Sequence, residues 1–260
     1  MTTSNMPVVF ISHGAPDALL HAPDALADWR EISQRCPKPA AILMISAHWE
    51  EQYPSASLAE SPATIHDFSG FSPELHRMTY PAPGAPALAR RAVGLLSETG
   101  VITELNPNRG LDHGAWIPLS VIYPQADIPV TQLSLIHNGS PITHFELGRA
   151  LAPLRQEGVL IIATGSITHN FGWLDWSKAA PAPMLKAQKF SDWVAEQLSK
   201  RNIPALLAYR SAPYGAEAHP TEEHFLPLFV ALGAAGGATP AHYHPNFAYG
   251  GLAMDAYLWR

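Results

Sequence analysis

Val8-Val9-Phe10-Ile11-Ser12-His13-Gly14 and Ile42-Leu43-Met44-Ile45-Ser46-Ala47-His48-Trp49 follow one pattern: a run of strand-forming residues that closes on a histidine. A strand that ends on a histidine and runs into Gly or Trp delivers an imidazole to the carboxyl edge of a sheet. That edge is where open α/β folds place their ligands. Outward from these two runs, further strand patterns lie at 101–105, 129–135 and 158–164, and helical patterns at 25–35, 85–98, 145–157, 185–200 and 221–234. Ala and Leu at three- and four-residue spacing in ALARRAVGLLSE and FELGRALAPLRQE support the second and third helices. Alternation of this kind predicts a layered α/β domain with a largely parallel sheet. The aromatic, glycine-rich tail HYHPNFAYGGLAMDAYLW is expected to add a late edge strand and a pocket wall. Residues 49–84 show little regular pattern, and a connection this long reads as a lid or a substrate-pocket wall.

With 260 residues, 47% of them hydrophobic, and no internal repeat or linker, the chain is expected to form one domain over 1–260. A net charge of −6 without a basic block argues against a nucleic-acid partner. No apolar stretch is long enough for a transmembrane helix, and MTTSNMPVV lacks the features of a signal peptide. Cys36 is the sole cysteine, so no internal disulfide can form; this fits a reducing cytosol and a cytoplasmic location. Nothing beside Cys36 suggests an activated thiolate.

Chemistry concentrates in histidines: His13 in ISHGAP, His48 in ISAHWE, His113 in GLDHGAW, His169 in GSITHNF and His224 in HPTEEHF. Neutral imidazole is the commonest metal ligand, and a strand terminus holds it rigidly while leaving the ion open to substrate. His13 and His48 therefore read as metal ligands. For the third ligand the sequence leaves three neighbours: His224, placed at the start of an apolar helix with Thr221 as N-cap, His219, and Glu223, the carboxylate expected in a 2-His-1-carboxylate iron site. His169 follows a tight turn at Gly165-Ser166, with Asn170 able to orient its ring, and suits proton transfer or a fourth ligand position. His113 could hydrogen-bond a substrate oxygen, with Asp112 as its support or as a ligand. His21, His76, His137 and His144 read as surface or structural residues. No GxSxG elbow, P-loop, GxGxxG after the first strand, HExxH or CxxC is present.

Taken in order, SHGAP, SAHWE, TIHDFSGF, YPAPG, GLDHGAW, ADIPVTQLSL, GSITHN and HPTEEHFLPL resemble the class III extradiol ring-cleavage dioxygenases, and within that LigB-type superfamily the 4,5-DOPA dioxygenase extradiol branch. The resemblance runs from about residue 7 to the C-terminus. It implies a single α/β domain with a central mixed, largely parallel sheet flanked by helices. It also implies His13, His48 and His224 as metal ligands, His169 as the acid/base residue and His113 as a lining of the substrate pocket. His66, Asp67, Phe68, Phe71 and Tyr249 are expected to contact the substrate. Fe(II) is the expected cofactor for activity, and a neutral three-histidine site also suits Zn(II), which has no redox chemistry. The expected reactants are a small aromatic diol and dioxygen, opened to a muconic semialdehyde, in a chain that can form a homo-oligomer. Two alternatives use the same histidines: a zinc hydrolase with Glu223 or His169 as general base, and a metal-binding protein without turnover.

Overall fold

The computed structural model describes residues 5–177, 181–244 and 246–260. The strands are β1 (Val8–Ser12), β2 (Ala41–Glu51), β3 (Ser55–Ser57), β4 (Glu104–Asn106), β5 (Val130–Ile136), β6 (Val159–Gly165), β7 (Ala241–Tyr243), β8 (Phe247–Ala248), β9 (Leu252–Ala253) and β10 (Ala256–Trp259). The helices are α1 (Ala18–His21), α2 (Pro23–Arg35), α3 (Pro86–Glu98), α4 (His113–Ile122), α5 (Pro141–Leu151), α6 (Leu185–Ser199), α7 (Ile203–Leu207), α8 (Gly215–Ala218) and α9 (Leu226–Ala234). Eight strands form one sheet in the order β4-β3-β5-β2-β6-β1-β10-β7. Its centre, β5-β2-β6-β1, is parallel. Antiparallel β10 and β7 extend one side, and β3 joins the other side antiparallel to β5.

The central strands are largely apolar because helices cover both faces; β5 departs from this with Thr131, Gln132 and Ser134, all buried. Val8, Phe10, Leu43, Ile45, Ile161 and Ala163 pack with α3, α5, α6 and α9. Their alternates Val9, Ile11, Ile42, Met44, Leu160 and Ile162 pack with α2 and α4 on the opposite face. The period of two along each strand thus divides the core into two layers around the sheet.

Several expected elements shift for identifiable reasons. The helix expected at 221–234 starts only at Leu226, so Thr221 is not its N-cap; Phe225 occupies that position. His224 gives its carbonyl to the Ser166 N–H at 2.8 Å, which takes that group out of a helical ladder. The helix expected at 145–157 begins earlier, capped by Ser140. It then tightens at 152–157 into a 3-10 helix, where Pro153 has no N–H to continue the α ladder. β4 is a three-residue edge strand rather than 101–105.

α4 was not expected at all. Its sequence HGAWIPLSVI is apolar all round and contains Pro118, so it shows no helical stripe. Pro118 cannot donate to the Gly114 carbonyl, and the Thr164 hydroxyl on β6 donates to that carbonyl instead, at 2.7 Å. The tail supplies two main-sheet strands: β7 takes the edge and β10 lies between β7 and β1. Residues 49–84 are a tied-down wall carrying the end of β2 and all of β3. Main-chain bonds from Ile65 to Leu111, Leu111 to Ala63 and Gly84 to Glu60 pin this segment. Among the described residues no helix is long and apolar enough to cross a membrane.

Candidate metal centre

Each histidine is delivered by a distinct local device at the carboxyl edge. His13 follows β1, its N–H donating to the Gly165 carbonyl at 3.0 Å. Gly14 then turns the chain away at φ +70°, a conformation that favours glycine. His48 lies inside β2, where pairing with β5 slips between Ile45 and Glu50. An irregularity of this kind re-aims a side chain beside a site. The Arg109 guanidinium holds this stretch, donating to the His48 carbonyl at 3.2 Å and to Asp112 at 2.7 Å while covering the Trp49 ring.

His113 opens α4, and Asp112 is the N-cap, accepting from the Ala115 N–H at 3.2 Å. Asp112 also accepts from Ser46, Arg109 and Gln132, so its oxygens are fully used by the scaffold. A Cβ on Gly114 would come within 2.5 Å of Ser46 Oγ and 3.1 Å of His13 Cε1, so only glycine lets α4 approach both histidine strands. His224 sits in the turn before α9. Gly165 admits this turn, because a Cβ there would lie 2.1 Å from the His224 carbonyl oxygen.

The rings converge. His13 Nε2 and His48 Nε2 are 3.1 Å apart, close to the ~3.3 Å expected for two nitrogens on one tetrahedral ion. The ring nitrogens of His13, His48 and His113 all lie within 4.8 Å of one another, and so do ligand atoms of His169, Glu223 and His224. The His224 ring centroid is 4.9 Å from His48 and 5.4 Å from His13, which joins the two groups. His169 stacks flat on His224 at 3.4 Å.

Two carboxylates orient the imidazoles. Asp67 accepts the Nδ1–H of His113 at 3.0 Å and its backbone N–H at 2.9 Å, and lies 3.4 Å from Nδ1 of His48. Glu223 accepts the Nδ1–H of His224 at 3.0 Å and lies 4.0 Å from Nδ1 of His169. With Nδ1 turned to a carboxylate, the Nε2 lone pair is the donor left for an ion. His13 Nδ1 is buried without a partner. Burial and then the neighbouring imidazoles push His13 and His224 well below the ordinary histidine range. Burial also brings His48 down to about 4 and lowers His169. Burial would raise Asp67, but hydrogen bonds and charge from His113 and His48 outweigh it and hold that carboxyl well below its usual range. Neutral, lone-pair-bearing imidazoles at His13, His48 and His224 beside an ionised Asp67 are the state in which such a set accepts a metal. The donor set fits.

These imidazoles line a cavity of about 490 Å³ together with Asp67, Phe68 and Phe71. His66 and Tyr249, expected to contact substrate, do not line it. His66 sits behind Phe68 with Nε2 on the Met78 carbonyl at 2.9 Å. Tyr249 backs Trp176 and donates its hydroxyl to Asp17. Asn170 pins the loop through the Glu217 carbonyl rather than the His169 ring. His219 is buried against Phe190, Tyr209 and Phe225 with Nε2 on the Ile167 carbonyl, outside the cavity. Sequence reasoning missed Phe171 and Trp176, exposed aromatics at the cavity rim. Phe171 follows the His169-Asn170 pair directly, and that adjacency was the available signal. Burial pushes the Cys36 thiol up to about 11, as expected for an unactivated cysteine.

The family profile described as the catalytic LigB subunit of aromatic ring-opening dioxygenase matches residues 2–257. A Beta vulgaris protein named 4,5-DOPA dioxygenase extradiol is 43% identical, over 94% of this chain and 92% of its own. An Escherichia coli K12 protein of the same name is 38% identical, over 92% of this chain and 89% of its own. The crystal structure of an uncharacterized Escherichia coli K12 protein superposes with a TM-score of 0.81 at 33% identity, covering 98% of this chain and 100% of the other.

Proposed function

Because the chain belongs to the family of LigB catalytic subunits of aromatic ring-opening dioxygenases, we propose that its cavity opens a catechol beside the two hydroxyls to give a muconic semialdehyde. The chain is an extradiol-type ring-cleaving enzyme; the substrate, product, metal and residue roles are our assignment. The observation that carries the assignment is the meeting of His13, His48, His113, His169 and His224 on one cavity at the carboxyl edge of a parallel sheet.

We assign His13, His48 and His224 as the metal ligands. When bound there, Fe(II) supplies Lewis acidity toward the diol oxygens and the redox chemistry that dioxygen needs, which Zn(II) lacks. His169 is the proton acceptor. Its neutral ring has Nδ1 toward Glu223, so Nε2 receives the proton of a substrate hydroxyl. His113 donates Nδ1–H to Asp67, which leaves Nε2 to accept a hydrogen bond from the second hydroxyl. Phe68 and Phe71, in edge contact at 5.9 Å, give the aromatic ring an apolar wall and exclude water from it. Both atoms of dioxygen enter the product as the carbon–carbon bond outside the diol breaks.

The names of the relatives make DOPA the first catechol to try. The test loads metal-free protein with Fe(II) under argon, adds a catechol panel, then admits oxygen. Visible absorbance of a yellow semialdehyde is expected only after oxygen enters. Hydrolysis of an ester or amide under argon, with no oxygen uptake on any catechol, would overturn the assignment.

A further inference from the structure

We propose that His242, His244 and Asp255 form a second, Zn²⁺-binding site at the β7–β10 edge, separate from the catalytic cavity. None of the three lines that cavity. His242 lies in β7 and His244 one residue past its end, so the two imidazoles share a face of extended chain. Asp255 immediately precedes β10, the strand paired with β7, and Tyr257 is registered opposite His242. The antiparallel pairing thus sets one carboxylate beneath two histidines. His242 Nε2 and His244 Nδ1 both lie 2.7 Å from the same oxygen, Asp255 Oδ1. Ligand atoms of all three lie within 4.8 Å of one another.

The site is built rather than incidental. Asp255 is fully buried, and its other oxygen accepts from Ser191 on α6 at 2.9 Å. The His242 ring stacks on Tyr257 at 4.6 Å and 11°, which fixes its plane. The two imidazoles remain partly exposed, with side-chain accessibilities of 32% and 43%, so an ion and its waters have an entry path. Asp28 and Asp192 add negative charge around His244, which favours a cation there. Two imidazoles and a carboxylate select zinc over magnesium or calcium, which take oxygen donors. Seating an ion at bonding distance from each donor requires the nitrogen–oxygen separations to widen by about 0.6 Å. The partly exposed histidines can supply that movement.

The test counts zinc by equilibrium dialysis at pH 7.5 and micromolar free Zn²⁺. Two ions per chain are expected for the unaltered protein. One is expected for His242→Ala/His244→Ala, and one for His13→Ala/His48→Ala, which keeps the outer site. A Co²⁺ titration of the latter variant should show the intense visible absorption of a low-coordinate site, lost on adding His244→Gln. The Gln change alters one partly exposed side chain and leaves Asp255 in place, so it reports even if the double replacement fails to fold. Zinc content unchanged by His242→Ala/His244→Ala, or cobalt absorption that survives His244→Gln, means that the trio is only a hydrogen-bonded clip and overturns the proposal.

Discussion

At Asp67 one carboxylate serves two imidazoles, His113 and His48. Asp67→Asn keeps the shape and removes the charge that sets both tautomers. Metal affinity, read by titration of the metal-free protein, should fall about 10- to 100-fold. His224 and His113 stand at similar ring distances from the His13–His48 pair. We expect His224→Ala to lose the bound metal, and His113→Ala to keep it while losing turnover; elemental analysis of the two proteins decides, and the reverse result exchanges their roles. His169→Ala should retain metal and lower kcat by about 10²- to 10⁴-fold. At this scale the histidines were legible because each sits in a short, distinctive context. Their partners were not legible as partners. Asp67 reaches His113 across 46 residues, and no local pattern encodes that contact. His66 and Tyr249 looked equally suited to the cavity, yet their rings face Phe68 and Trp176 from behind.

Elements were legible where burial left a periodic trace. Continuous apolar runs gave β1, β2 and β6, and the mixed run VTQLSLI gave β5, each to within a residue or two at its start. α4 left no trace, because a helix buried on every side has no polar face and Pro118 reads as a breaker. Its compensation is a contact between elements, the Thr164 hydroxyl on the Gly114 carbonyl. Thr164→Val preserves volume and deletes the donor, leaving a buried carbonyl unpaired. Stability should drop by about 1–3 kcal/mol, seen as a lower urea midpoint at unchanged m-value. The turn before α9 was misjudged for a related reason: the His224 carbonyl is claimed by β6 through Gly165 and Ser166, a tertiary demand that local propensity does not express.

For the molecule as a whole, buried neutral histidine makes stability depend on acid. His144 donates Nδ1–H to the Ser140 carbonyl and accepts the Ile136 N–H at Nε2, tying β5 to α5. Burial lowers it to about 4, against about 6.5 when unfolded. Its folded value is depressed, so between pH 6.5 and 4 the unfolded chain binds the extra proton. The stability contribution is complete above 6.5 and disappears as pH falls toward 4. His144 alone accounts for roughly 3 kcal/mol of that loss. Denaturant melts at pH 7.5 and 4.5 should show it, with a shallower slope in His144→Gln; equal slopes would remove His144 from the account. The seating of β10 against β1 has a different consequence, one of timing. β1, which leads directly into His13, pairs on one side with β6 and on the other with β10, which ends at Trp259. Every other strand of the sheet lies between β1 and β10 in the chain, so during translation β1 must wait with an open flank until β10 has left the ribosome.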